Sequence, residues 1–150
     1  MNDPKIQPEL TKNRNRVAGV ISFAHAIKHI YNSGQSSLIM PEIKMGFGLS
    51  GSQYGSLSTA ASIAWWIANM IAGYIGDRFS HKAGLSIATS LIIIAVTFLL
   101  LGFSKNYITI LVVMFFAGFG PAIFHPPALG ELSRRFPDRT GFAISLHGMA

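Results

Sequence analysis

His25, Lys28 and His29 stand close together in a stretch that is otherwise mostly apolar. At 100° per residue, Ser22, His25, His29, Asn32 and Ser36 fall within an arc of about 80° on a helix, with Lys28 at its edge. Polar and ionisable groups at membrane depth are expensive, so a stripe of them marks a solute or ion pathway in preference to a lipid-facing surface. Hydrogen bonding to neighbouring helices is the plainer use of such groups, but one packing contact does not need six polar positions. Imidazole, with an unperturbed pKa of about 6.5, is the side chain best suited to proton handling near neutrality. Lys28 can exchange protons if desolvated, or stay cationic and attract an anionic substrate; the residues leave both open. The His25/His29 spacing also suits a metal pair. No carboxylate or Cys within the same helix completes it, so no metal site is expected. His125, in "FHPP", and Asn69, beside Trp65 and Trp66, complete the residues expected along the substrate and proton pathway.

The elements that position these groups are long and apolar. Hydrophobic residues make up 50% of the 150-residue chain and charged ones 12%, about half the share of a soluble domain. No charged residue or His lies between Met45 and Gly76, between Ala83 and Ser104, or between Asn106 and Phe124. A bilayer takes about 20 apolar residues in a helix, because backbone amides cannot be left unpaired in lipid. The expected spans are 17–40, 53–76, 83–103 and 108–130, with 141–150 beginning another. This predicts an all-α integral membrane fold with four complete transmembrane helices and the start of a fifth, preceded by a polar tail over 1–16. A chain stopping there is expected to be part of a larger transporter and inactive in transport by itself.

The net charge of +6 raises nucleic-acid binding, which the placement of the basic residues excludes: no basic stripe with interleaved aromatics is present. Lys5, Lys12, Arg14 and Arg16 precede the first span, Arg78 and Lys82 follow the second, and Arg134, Arg135 and Arg139 follow the fourth. The alternate loops hold only Lys44 and Lys105. By the positive-inside rule the N-terminus is cytoplasmic in a multi-pass inner-membrane protein. The first span is too long and too polar for a signal peptide and is retained. With no Cys, neither disulfides nor thiolates hold the fold. Enzymatic motifs are missing: the acidic residues stand singly, and there is no phosphate-binding glycine loop.

Two helices carry packing signals. Ser52, Ser56, Ala60, Ala64, Ala68, Ala72 and Gly76 recur every fourth residue on the second span, a face that lets backbones approach closely. The fourth span contains Gly118, Gly120, Pro121, Pro126 and Pro127, so a kink is expected there, with Pro121, Pro126 and Pro127 as its cause. Interrupted helices of this kind mark transporter sites.

The loop "GYIGDRFSHK" resembles the cytoplasmic signature of the major facilitator superfamily, matching at Gly73, Asp77, Arg78 and Lys82. Ser80 stands where that pattern has Gly, and His81 where it has a basic residue. The resemblance implies a gating role for Asp77 and Arg78 in a charge network that holds the outward-facing state. A second family signature has Arg four residues before Gly-x-Gly; Met114 occupies that position, so proton coupling does not run through it. "FHPP", the His-bearing first helix and "GLSGSQYGSL" look like the fosmidomycin-resistance branch of drug-efflux antiporters, although Pro127 stands where an acidic residue often follows His-Pro.

The resemblance implies the N-terminal part of a twelve-helix fold whose two bundles rock about a central site, the C-terminal half being the missing partner. The expected function is secondary transport of a small-molecule solute across the lipid bilayer, driven by protons and needing no cofactor, with efflux of drug-like compounds as its direction. An uptake carrier for a small organic anion, anchored by Lys28, is the alternative. A membrane-embedded hydrolase or structural membrane protein is the alternative of another class.

Overall fold

The computed structural model describes residues 11–149, except for the side chain of Asp77. Most of the expected tail, including Lys5, lies outside the described residues, as does Ala150. Among the described residues every regular element is helical.

Helix α1 (Arg14–Gly34) runs through a π-helical turn (Gln35–Ile39) into α2 (Met40–Gly46). The first helical run therefore extends past the expected end at Met40. The turn falls in a stretch of weak helix formers, Asn32, Ser33, Gly34, Ser36 and Ser37. The Ser36 hydroxyl donates back to the carbonyls of Asn32 (3.0 Å) and Ser33 (3.2 Å), competing with the main-chain ladder. Pro41 sits in the first turn of α2, where its missing donor does little harm. Gly48, at φ 60°, ends the run in the left-handed region, and the Leu49 amide closes back on the Lys44 carbonyl at 2.9 Å.

Helix α3 (Gly51–Arg78) opens on a reciprocal cap between Ser50 and Gln53. A 3₁₀ turn (Ser80–Lys82) leads into α4 (Ala83–Gly102), and α5 (Tyr107–Ala117) opens on a second reciprocal cap, between Asn106 and Thr109. These caps satisfy the first amides of each helix at the ends of the apolar segments. Helix α6 (Phe119–Arg135) follows α5 after Gly118, and α7 (Thr140–Gly148) covers the last expected segment. The runs Ser80–Gly102 and Tyr107–Arg135 are long and apolar enough to cross a membrane. Helices α1 and α3 are long as well but carry more polar residues.

The interruption of the fourth segment lies at Gly118, and Pro121 accounts for it. A proline ring clashes with the carbonyl four residues back, here Ala117, the last residue of α5. Pro121 itself falls in the first turn of α6, where no donor is needed. Pro126 and Pro127 lie inside α6 without ending it.

Helix α6 is the hub, packing on α3, α4, α7 and α1. Its glycines permit this. A Cβ on Gly118 would lie 2.1 Å from the Ala61 carbonyl oxygen, and one on Gly120 2.5 Å from Ile94 Cγ1. The Ser90 hydroxyl donates to the Gly120 carbonyl at 2.6 Å. On α3, Ala64, Ala68 and Ala72 of the small-residue face are buried, and the Ser56 hydroxyl lies 2.6 Å from that of Tyr107. One apolar cluster joins α1, α4, α6 and α7 around Phe124, Leu132 and Phe136; another joins α2, α3, the end of α4 and α5 around Leu57, Ile110 and Met114.

Candidate functional site

The first cluster surrounds a group of ionisable side chains from three helices. Lys28 on α1, only 1% exposed, places Nζ 2.6 Å from His125 Nε2 on α6 and 5.5 Å from the Phe124 ring centroid. His25, also on α1, has Nδ1 2.8 Å from the main-chain oxygen of His147 on α7. A carbonyl only accepts, so His25 carries a hydrogen on Nδ1. Its Nε2 lies 3.0 Å from His29 Nε2; with His25 neutral, His29 is the donor in that pair. The rings of His25 and His147 stack at 3.9 Å between centroids, and His25 and His125 meet edge to face at 5.2 Å. A hydrogen-bonded path thus runs from the exposed His29 through buried His25 to the main chain of α7. Protonation of His25 reverses the donor and acceptor in its bond to His29, so this path changes state with one proton.

A second feature lies further along the same face of α1. A cleft of about 490 Å³ is lined by Asn32, Gln35 and Ser36 from the first helical run, Ser58, Ser62, Trp65 and Trp66 from α3, and Met114 and Gly118 from α5 and the break after it. The Gln35 amide donates to Met114 Sδ at 3.0 Å. Asn32 stands one turn beyond Lys28, so cleft and cluster adjoin on α1. Trp65 and Trp66 meet edge to face at 5.8 Å. Aromatic faces with hydroxyl and amide groups make a surface suited to an amphiphilic organic solute of moderate size.

A third group ties the helix ends together. Glu131 bonds Arg134 and Arg135, each at 2.5 Å, and Arg134 also donates to the Ser80 carbonyl at 2.7 Å. Helix α6 is thereby tied to the turn between Arg78, the last residue of α3, and Lys82, whose cationic groups lie 5.9 and 5.7 Å from the Phe79 ring centroid. Among the described residues only Asn13 and Gly48 have positive φ, so the turn at Ser80 needs no glycine. Arg14 pairs with Asp138 at 2.6 Å and lies over Phe136, joining the start of α1 to the loop before α7.

Of the residues expected along the pathway, His25, Lys28, His29 and His125 come together in the cluster, and Asn32 lines the cleft. Asn69 is half-buried on α3 outside that lining, while the neighbouring tryptophans belong to it. Gly73 lies on α3 and Lys82 in the 3₁₀ turn; the side chain of Asp77 lies outside the described residues. Three participants escaped the sequence reading. His147 was hidden because only tertiary packing brings α7 to α1, although a His within "FAISLHG" is a visible anomaly. Gln35 sits in the π turn, out of register with the polar stripe. The Glu131/Arg134/Arg135 set has i, i+3 and i, i+4 spacing, yet its arginines read as topogenic charge.

No solved structure matches the chain. A family model described as Major Facilitator Superfamily matches residues 21–150. That stretch takes in α1 from Ile21 onward and every later helix, including both runs apolar enough to span a bilayer. Members of this family are integral membrane transporters of small solutes and not enzymes. On that match, and on an all-helical apolar architecture that agrees with it, the chain belongs to the Major Facilitator Superfamily.

Proposed function

We propose that this protein is a proton-coupled secondary transporter that exports amphiphilic organic solutes by alternating access. The solute occupies the cleft between α1, α3 and the α5/α6 break, and protons pass through the His25, His29, Lys28 and His125 cluster beside it. The observation that carries this reading is the adjacency of the two on one helix: Asn32 lines the cleft one turn from buried Lys28 and exposed His29. In this reading α1, α3, α4 and the α5/α6 pair are four complete spans, the N-terminus is cytoplasmic and the membrane is the plasma membrane. The basic residues at 12–16, 78–82 and 134–139 then face the same side, and a second bundle completes the site.

The uptake of a small organic anion anchored by Lys28 is the less favoured reading. Lys28 Nζ is engaged by His125 and is buried, away from the cleft lining. Reconstitution into vesicles with an internal pH-sensitive dye tests the proposal. Apolar and cationic solutes added to one side should drive proton movement opposite to solute flux. Proton movement with the solute, and only with carboxylates, would select the uptake reading; solute flux without proton movement would refute coupling.

A further inference from the structure

We propose that His25, His125 and His147 form a binding site for a divalent late first-row transition metal ion of the zinc class. The three residues come from α1, α6 and α7, and one ligand nitrogen from each lies within 4.8 Å of the others. Tetrahedral zinc with bonds of 2.0–2.1 Å holds its nitrogens about 3.3 Å apart, so small side-chain rotations close the set. Three imidazoles with an open fourth position make a recognised ligand set for zinc, and imidazole suits copper and nickel equally.

Two independent observations point to a ligand here. His147 is only 3% exposed, and among the described residues neither of its ring nitrogens has a hydrogen-bond partner. An imidazole sealed from water with both nitrogens unpaired is poorly accounted for by packing alone. The second is the orientation of His25. Its Nδ1 hydrogen bonds the His147 carbonyl, which leaves the lone pair on Nε2, 3.0 Å from His29 Nε2, as the one an ion would take; a carbonyl behind the distal nitrogen is how metal-ligating histidines are held. The bound ion replaces the His29 contact at Nε2, so exposed His29 is displaced without loss of a ligand. Lys28 opposes the ion, being buried and bonded to His125 Nε2. First-helix spacing offered His25 with His29 and no further ligand, so no metal site was expected; the folded chain brings two histidines to His25 from distant helices.

This inference does not rest on transport, because binding is read without flux. The full chain in detergent micelles is titrated with Co²⁺, monitoring the visible bands of imidazole-ligated cobalt, and then with Zn²⁺ as competitor. Stoichiometric binding is expected, weakened at least about 100-fold by His147→Gln or His125→Gln, which exceeds the usual loss from an outer-shell change. His29→Ala should change affinity less than about threefold, and Lys28→Met should tighten binding about tenfold by removing the opposing charge. Helical circular dichroism and a single elution peak identify variants that have kept their fold. Absence of cobalt binding by the folded wild type overturns the site. So does binding that survives His147→Gln in folded protein, or that is lost instead with His81→Ala.

Discussion

The seam between α3, α4 and the α5/α6 break and the cluster between α1, α6 and α7 are buried in the same small bundle by opposite means. The seam is built from Ala64, Ala68, Ala72, Gly118 and Gly120, and its polar contribution is the Ser90 bond to a carbonyl. Nothing in it changes charge, and its backbones approach so closely that a Cβ on Gly118 would meet the Ala61 main chain. The cluster holds four imidazoles and the Lys28 amine, and the hydrogen bonds of His25, His29, His125 and Lys28 depend on who carries the proton. A transporter needs both kinds of burial: a frame that stays put and a group that changes state. In this chain α6 contributes to each, with glycine at its start and histidine at its middle.

The largest effect should come from breaking the frame. Gly118→Leu drives a side chain into the Ala61 main chain and should destabilise the bundle by roughly 3 kcal/mol or more. A thermal melt in micelles showing an unchanged midpoint would mean that the seam is not rigid. Next comes the cluster: His125→Ala should leave the melting temperature much less affected than Gly118→Leu while abolishing solute-driven proton flux. Loss of stability equal to that of Gly118→Leu would erase the distinction between the two regions.

Smaller effects lie at the ends of the helices. Arg134→Ala removes the link from α6 to the Ser80 carbonyl and one partner of Glu131, at about 1–2 kcal/mol. Because that link reaches the loop of the gating signature, a changed ratio of inward to outward accessibility at single-cysteine reporter sites is expected; an unchanged ratio would reduce the contact to simple stapling. The smallest effect is expected for Arg14→Ala at the exposed pair with Asp138. Desolvation works against ionising Asp138, and the Arg14 hydrogen bond outweighs it, holding the carboxyl below its usual range. A carboxyl lowered on folding stabilises above its unfolded-state pKa and loses that contribution as pH falls through the folded value. The difference between wild type and Arg14→Ala should therefore shrink in acid and in high salt.

The apolar segments were legible because lipid imposes a length and a composition on any helix that crosses it. The helical starts, expected at 53 and 108, lie at Gly51 and Tyr107, because the local caps Ser50 with Gln53 and Asn106 with Thr109 set them. The polar stripe of α1 was legible as a face, since helical periodicity alone assembles His25, His29 and Asn32. What periodicity cannot tell is which helix that face meets. His147 joins His25 across a sequence separation of 122 residues, and nothing in the short segment around it announces the pairing. The break at Gly118 lay within reach: the rule that a proline disturbs the carbonyl four residues back places it at Ala117 from Pro121, whereas Pro126 and Pro127, expected to share in the kink, lie where the helix continues.

The division of labour between cleft and cluster is tested most directly by comparing two fluxes through one His25→Ala variant in vesicles. Solute counterflow requires binding and alternating access but no net proton movement, whereas solute accumulation against a gradient requires coupling. Near wild-type counterflow with lost proton-driven accumulation is the expected outcome. Accumulation that persists in the variant, or counterflow that vanishes along with it in folded protein, would contradict it.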